Sequence, residues 1–400
     1  MRLHPPNDAA DRHAGPASMS RMERHLTDER SPRGCLAATL RGEAPDWAGS
    51  SPRGDVDWLN IACQEGVGAL LHGLGGTRGL AHDVVAPFAA FAKQRIAAEM
   101  LEHAEVRRVV RALAAADVAC LLLKGTALAY SVYPAPHLRP RSDVDMLFPD
   151  QATMLRACDV LGPLGYTASQ VPDSSLISYE KGLHRTTPAG YGHHLDMHWK
   201  IANQALFADA LPWDELAAAA IALPALDPLA RALSPVHALL HACMHRISHL
   251  PWDDDSGMSG DRLIWLYDFH LLAQRIDGKG FADFRRIAGA QRLAGVCLDG
   301  LREAQRAFAT PLPEGLLDDL ARSARSEPFD ARRARTRWYQ EWHNVRALPV
   351  RRRLAFMREK LFPSRAYMRE QYPVDGPLSL ALAYLRRLGN GVRMTVLGRR

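Results

Sequence analysis

Apolar positions in this chain recur mostly at helical spacing, with one central stretch where the pattern changes. Phe88, Phe91, Ile96, Met100, Val106, Val109, Val110 and Leu113 predict one long amphipathic helix between Val84 and Ala116, with Pro87 as a candidate early interruption. Val118 to Leu123 is then a continuous apolar run bounded by Asp117 and by Lys124-Gly125, as expected of a strand buried on both faces. A helix is predicted from Thr126 to Tyr133, stopped by Pro134. Asp143 to Phe148 reads as a second strand and Gln151 to Leu164 as a helix, with Gly165-Tyr166 opening the return. His194 to Trp199 alternates polar with apolar and reads as a further strand. Beyond residue 205 the helical pattern resumes, punctuated by Pro212, Pro224, Pro228, Pro235, Pro251 and Pro311. Residues 1–33 carry no apolar periodicity and are read as a disordered leader. Four regions follow: the leader, a helical region over 34–116, a strand-containing core over 117–205, and a helical domain over 206–400.

Composition narrows the class. Among 400 residues, 47% hydrophobic and 24% charged, predominant disorder is excluded and a packed core is expected. The longest apolar stretches, Leu216 to Leu223 and Leu378 to Leu385, are too short to cross a bilayer, so a cytoplasmic protein with no membrane partner is expected. Six scattered cysteines without a CxxC pair suggest neither a disulfide framework nor a thiolate zinc site. The net charge of +6 is uneven: residues 331–400 hold 17 Lys and Arg against 4 Asp and Glu, which puts +13 there and −7 on the rest. A nucleic acid, a triphosphate or an acidic partner could use that basic segment. It could equally be an arginine-rich helical surface or dock back on the acidic body, and no aromatic-interleaved RNA-binding motif accompanies it.

The chemistry concentrates at Asp143-Val144-Asp145. Side chains two apart on a strand share a face, so two carboxylates stand side by side and repel unless a cation lies between them. Hard oxygen ligands suit Mg²⁺ or Mn²⁺ in phosphoryl or nucleotidyl transfer. A capped turn after Ser142 is the bland alternative. Upstream, a strand ends at Lys124-Gly125-Thr126 and enters a helix whose N–H groups could cradle a triphosphate. Downstream, Asp196 lies between Leu195 and Met197 and could supply a third carboxylate. Arg139 and Arg141 could pair with substrate phosphates or offset the carboxylate repulsion as salt-bridge partners, and Lys124 could reach a phosphate or point to water.

This order of motifs resembles the polymerase-β nucleotidyltransferase superfamily. The wording LLLKGTALAYSVYPAPHLRPRSDVDMLF, from Leu121 to Phe148, is similar to the LKG…Y…R…DxDxL signature of its uncharacterised bacterial nucleotidyltransferase family. HLDMHWKI resembles that family's acid-x-His-Trp strand, and HACMHRISH with RLIWLYDFHLL resembles its later His and Trp-Leu-x-Asp helices. The resemblance implies an α+β fold: a small mixed β-sheet nucleotidyltransferase core between an N-terminal helical region and a helical C-terminal domain. It implies that Asp143, Asp145 and Asp196 are catalytic, metal-binding acids for Mg²⁺ or Mn²⁺. Gly125 and Thr126 would form the phosphate-facing turn, with Lys124, Arg139 and Arg141 as further candidates for binding the NTP. The turn has one glycine and a threonine, and eighteen positions separate Gly125 from Asp143, so Tyr133 to Arg141 must form an extra loop.

The expected activity is NMP transfer from an NTP to an acceptor hydroxyl with release of pyrophosphate. The acceptor, whether small molecule, protein or RNA, stays open. Two alternatives remain: an NTP-binding regulatory or antitoxin-like module with weak chemistry, and a zinc hydrolase built on His194, Asp196 and His198. His198 also reads as an orienting group or as a packed histidine beside Trp199. His237, His241, His245 and His249 recur every four residues on one predicted helix. They read as core or surface histidines, with His245 and His249 as candidate phosphate contacts through the resemblance. Asp253-Asp254-Asp255 reads as a solvated loop.

Overall fold

The computed structural model describes residues 31–48, 57–168, 178–251, 261–363, 365, 368, 369, 372, 374 and 376–396. The leader expected over 1–33 lies outside these up to position 30, and so does the Asp253 to Asp255 loop. Among the described residues the protein is an α+β fold with fifteen α-helices and one seven-stranded mixed sheet flanked by them.

Before the sheet come α1 (Pro32–Leu40), α2 (Trp58–Gln64), α3 (Gly68–Gly73) and α4 (His82–Ala115). Ser31 starts α1 by accepting from Gly34 N at 3.0 Å, with Pro32 in the first turn, where its missing donor costs nothing. The long helix runs through Pro87 without a break, and its second half buries Val106, Val109, Val110 and Leu113.

The sheet order is β3 (Thr167–Ala168), β4 (Glu180–Thr186), β5 (Gly192–His198), β2 (Val144–Leu147), β1 (Leu121–Leu122), β7 (Arg231–Ala232) and β6 (Ile221–Ala222). Helices α5 (Lys124–Ser131), α6 (Gln151–Leu161) and α7 (Trp213–Ala218) connect these strands. Strand β2 pairs antiparallel with β1 and parallel with β5. The run predicted as a strand from Val118 is shorter than expected, because Val118 N bonds Leu113 O and so belongs to the closing turn of α4. Gln151 begins α6 under an Asp150 cap, and the helix tightens into a 3₁₀ turn at Gly162–Leu164 rather than continuing.

Both faces of the sheet are covered, which explains the unbroken apolar run. Leu122, Val144, Met146, Leu195 and Met197 pack with the α4 residues named above, whereas Leu121, Leu123 and Leu147 join a second core. That second core is built on α8 (Pro235–His249), α9 (Leu263–Ala273), α10 (Gly278–Ala290), α11 (Ala294–Phe308) and α12 (Leu316–Ala324). Helix α9 is apolar apart from Asp268 and His270 and sits between α8 and α11. One charged knot is buried here: Arg246 of α8 grips Asp261 with two bonds of 2.8 and 2.7 Å and Asp299 of α11 with one of 2.6 Å. The chain ends in α13 (Arg337–Ala347), α14 (Val350–Leu361) and α15 (Pro377–Val396).

Strands β3, β4, β6 and β7 were not anticipated. Strand β4 carries a glycine and a single fully buried residue, Leu183, and β6 and β7 are two residues each, too short for any periodicity to register.

Candidate active site

The side chains of Asp145 and Asp196 are brought together by register. In the parallel pair β2 and β5, Asp145 lies opposite Asp196 and Leu147 opposite His198. Because alternate residues share a face, Asp145, Asp196 and His198 emerge on the side of the sheet away from Val144 and Met146. One ligand atom from each of the three lies within 4.8 Å of the others. His198 Nε2 stands 3.0 Å from Asp145 Oδ1, and its Nδ1 is 3.3 Å from Glu180 Oε2, the residue opposite it on β4.

The first-turn residue of α5 completes the group. Lys124 Nζ donates to Asp145 Oδ1 at 2.6 Å, and Leu123 N donates to the Asp145 carbonyl at 3.0 Å, so the start of α5 is pinned to β2 by side chain and backbone together. Lys124 has φ of 45°, the left-handed region that costs a side-chain-bearing residue on the order of 1 kcal/mol. The surrounding bonds hold it there, aiming the ammonium at the carboxylates.

The charges in this group do not balance. Burial alone raises the Asp145 carboxyl, but the Lys124 ammonium and the His198 bond outweigh it and hold this group well below the usual carboxylate range. Burial, and then the charges of Asp145, Glu180 and Asp143, push Asp196 up to about 7. Asp143 is raised by burial and by its neighbour Asp145. Four carboxylates thus face one ammonium and one imidazole, and two of them hold their protons more tightly than a free acid does. A divalent cation would relieve that repulsion, and two carboxylates with one imidazole are a donor set that can hold one.

Of the residues singled out from sequence, Asp145 and Asp196 meet directly. Asp143 precedes β2 and acts on them through its charge, lining a neighbouring pocket of about 200 Å³ with Arg141 and His193. Gly125 is a glycine for a visible reason, since a Cβ there would stand 3.2 Å from the Arg141 Cβ. Thr126 is buried, and its hydroxyl has no hydrogen-bond partner among the described residues. The two arginines have structural partners. Arg139 forks onto Asp268 with bonds of 2.8 and 2.7 Å, and Tyr133 bonds the same carboxylate. Arg141 forks onto Glu99 with bonds of 2.7 and 2.9 Å and also reaches Glu102. Together they clamp the Tyr133 to Arg141 loop between α9 and α4.

Helices α8 and α9 add a wall of rings. His245, His249 and Trp265 have centroids 4.4 to 5.4 Å apart. Desolvation and then the nearby Lys124 charge push His241 down to about 3 and His249 to about 4, so these imidazoles are neutral at physiological pH. His237 turns elsewhere, to Ser234 and Glu215. His194 is exposed and falls outside the three-residue group, which removes one ligand from the His194, Asp196 and His198 arrangement. Glu180 was missed in the sequence because β4 has no legible pattern. His198 was visible as the residue two beyond Asp196.

A search of curated proteins finds no match to this chain. The family model for an uncharacterised nucleotidyltransferase matches residues 56–309, more than half of the chain, and the chain therefore belongs to that nucleotidyltransferase family.

Proposed function

We propose that the protein transfers a nucleotidyl group from an NTP to an acceptor hydroxyl, with release of pyrophosphate, in the manner of the polymerase-β superfamily. The observation that carries this reading is the cross-strand pair Asp145 and Asp196 with His198 on its flank, at the start of α5. Asp145, Asp196 and His198, with Asp143 adjacent, would hold Mg²⁺ or Mn²⁺. Such an ion, when bound, lowers the pKa of an acceptor hydroxyl and offsets charge on the phosphates.

The chain's own groups divide the remaining work. Asp145 stays ionised at every physiological pH because Lys124 and His198 hold it so. Lys124, the free N–H groups of the first turn of α5 and the unpaired Thr126 hydroxyl make one flank favourable to phosphate oxygens. The bond from the acceptor oxygen to Pα forms as the bond from Pα to the bridging oxygen of pyrophosphate breaks. Asp196, the carboxylate opposite Asp145 on the neighbouring strand, would receive the acceptor proton. Arg139 and Arg141 position the segment that carries Asp143 and Asp145 rather than touching phosphate.

Label transfer from α-³²P-NTPs into RNA, protein and metabolite fractions tests the reading, with γ-labelled ATP as control. Covalent α-label that requires Mg²⁺ or Mn²⁺ and vanishes in Asp145→Asn is the expected result. Transfer at the wild-type rate by a folded Asp145→Asn protein sinks it.

A further inference from the structure

The C-terminal helices carry a surface that nucleotidyl transfer does not need. Val350, Leu354, Met357 and Leu361 of α14 are spaced four, three and four apart, which at 3.6 residues per turn puts them on a single narrow stripe. All four are exposed, Leu354 to 83% and Val350 to 74%. The buried residue of this helix, Phe356, lies on another side, so the stripe faces away from the body. Helix α15 repeats the device: Leu378, Leu382 and Leu385 are again four and three apart and exposed, Leu378 to 83%, while Ala383 is buried. Tyr384 of α15 bonds the Pro363 carbonyl just beyond α14 at 2.6 Å, which ties the two helices together.

The flanks of both stripes are basic. On α14, Arg351 and Arg358 fall on one side of the apolar line and Arg353 on the other. On α15, Arg386 lies beside it and the helix contains no acid. On α13, Trp338 and Trp342 are also exposed, one turn apart, with the guanidiniums of Arg333 and Arg346 over their rings. Exposed leucines bordered by arginines, with tryptophans nearby, fit the boundary between lipid headgroups and acyl chains. A helix lying in that boundary needs no membrane-spanning length, and among the described residues no helix is long and apolar enough to cross a membrane. A second copy of the chain would set this +13 segment against its like, and an RNA would leave the leucine stripes uncovered.

We propose that α14 and α15 dock on an anionic lipid surface, burying the two leucine stripes among the acyl chains while the flanking arginines meet acidic headgroups. The pairing is independent of the nucleotidyl-transfer reading.

Co-sedimentation of the full chain with vesicles tests it, using phosphatidylcholine alone against phosphatidylcholine with about 30% phosphatidylglycerol. Binding to the anionic vesicles only, weakened by salt, is expected. Leu354→Glu with Leu378→Glu should lower that binding more than about tenfold while the thermal midpoint stays near wild type, since both side chains are already in water. Arg351→Gln with Arg353→Gln and Arg358→Gln should abolish the preference for anionic lipid. No binding to either vesicle, or equal binding by the Leu variant, overturns the proposal. So does a stable dimer that the Leu variant dissociates, which would assign the stripes to a second copy, and so does RNA binding lost in the Arg variant with no lipid binding.

Discussion

Two buried charge clusters, one on Arg139 and Asp268 and one on Asp145 and Asp196, are built on opposite plans. Around Arg139 and Asp268 every strong donor meets an acceptor: a two-bond fork, a tyrosine hydroxyl on the same carboxylate, and a carbonyl for the remaining guanidinium nitrogen. Around Asp145 and Asp196 the carboxylates outnumber the cations, and burial, with those neighbouring charges added, pushes Asp196 up to about 7. A closed cluster orders a loop and offers nothing to a ligand. An open one keeps an unmet demand for positive charge, and that demand is the chemical signature of a site. The same contrast separates the Arg246, Asp261 and Asp299 knot of the helical core from the face of the sheet.

Substitutions on the two sides should break in different ways. The largest effect is expected from Asp196→Asn, which should lower transfer on the order of a thousandfold while leaving the metal-free protein at least as stable as wild type, because a crowded carboxylate has been relieved. Label transfer and thermal melting of the same preparation check this, and a large fall in midpoint would place Asp196 in the closed class. Asp268→Asn should do the reverse. It leaves Arg139 buried without its counter-ion and should cost about 3 kcal/mol in a denaturant titration.

A finer test uses Thr126→Val, where an unpaired buried hydroxyl is removed. Its removal should raise stability by about 1 kcal/mol and raise the KM for NTP, and a loss of stability would show that the hydroxyl has a structural partner.

Acid should separate the clusters by sign. Asp196 has a folded-state pKa above its unfolded one, so the metal-free fold binds an extra proton there and gains stability as pH falls from about 7 toward the ordinary carboxylate range. Asp261 is the opposite case. Burial would raise its carboxyl, but Arg246 outweighs burial and depresses it, so its contribution is present above the ordinary carboxylate range and is lost as pH falls below it. Thermal midpoints measured from pH 8 to pH 3 should therefore rise and then fall in wild type. Asp196→Asn should flatten the rise alone, and Mn²⁺ should do the same if it binds there.

Much of the site was legible in one dimension because it is local. Asp143-Val-Asp145, Lys124-Gly125-Thr126 and Asp196-x-His198 each sit within a few residues, and the strand or turn they occupy follows from their apolar neighbours. Arg139 and Arg141 were legible as charged groups beside the acids, but their partners Asp268 and Glu99 are 129 and 42 positions away. Glu180 had no signal, since its strand forms by pairing with β3 and β5. The histidine stripe showed its helical face, while the burial and the Lys124 charge that keep His241 and His249 neutral come from tertiary packing.

The sequence by itself determined the helical regions around a strand-containing centre, the strand that carries Asp145, and the concentration of positive charge toward the C-terminus, because each depends on periodicity or composition over a short span; Asp143, read as sharing that strand face, instead precedes the strand. Tertiary structure alone decided that Asp145 faces Asp196, that Lys124 sits on Asp145, and that the two arginines lock a loop. Strand register and burial set those distances, and the energy of a charge depends on what surrounds it in space rather than on what precedes it in the chain.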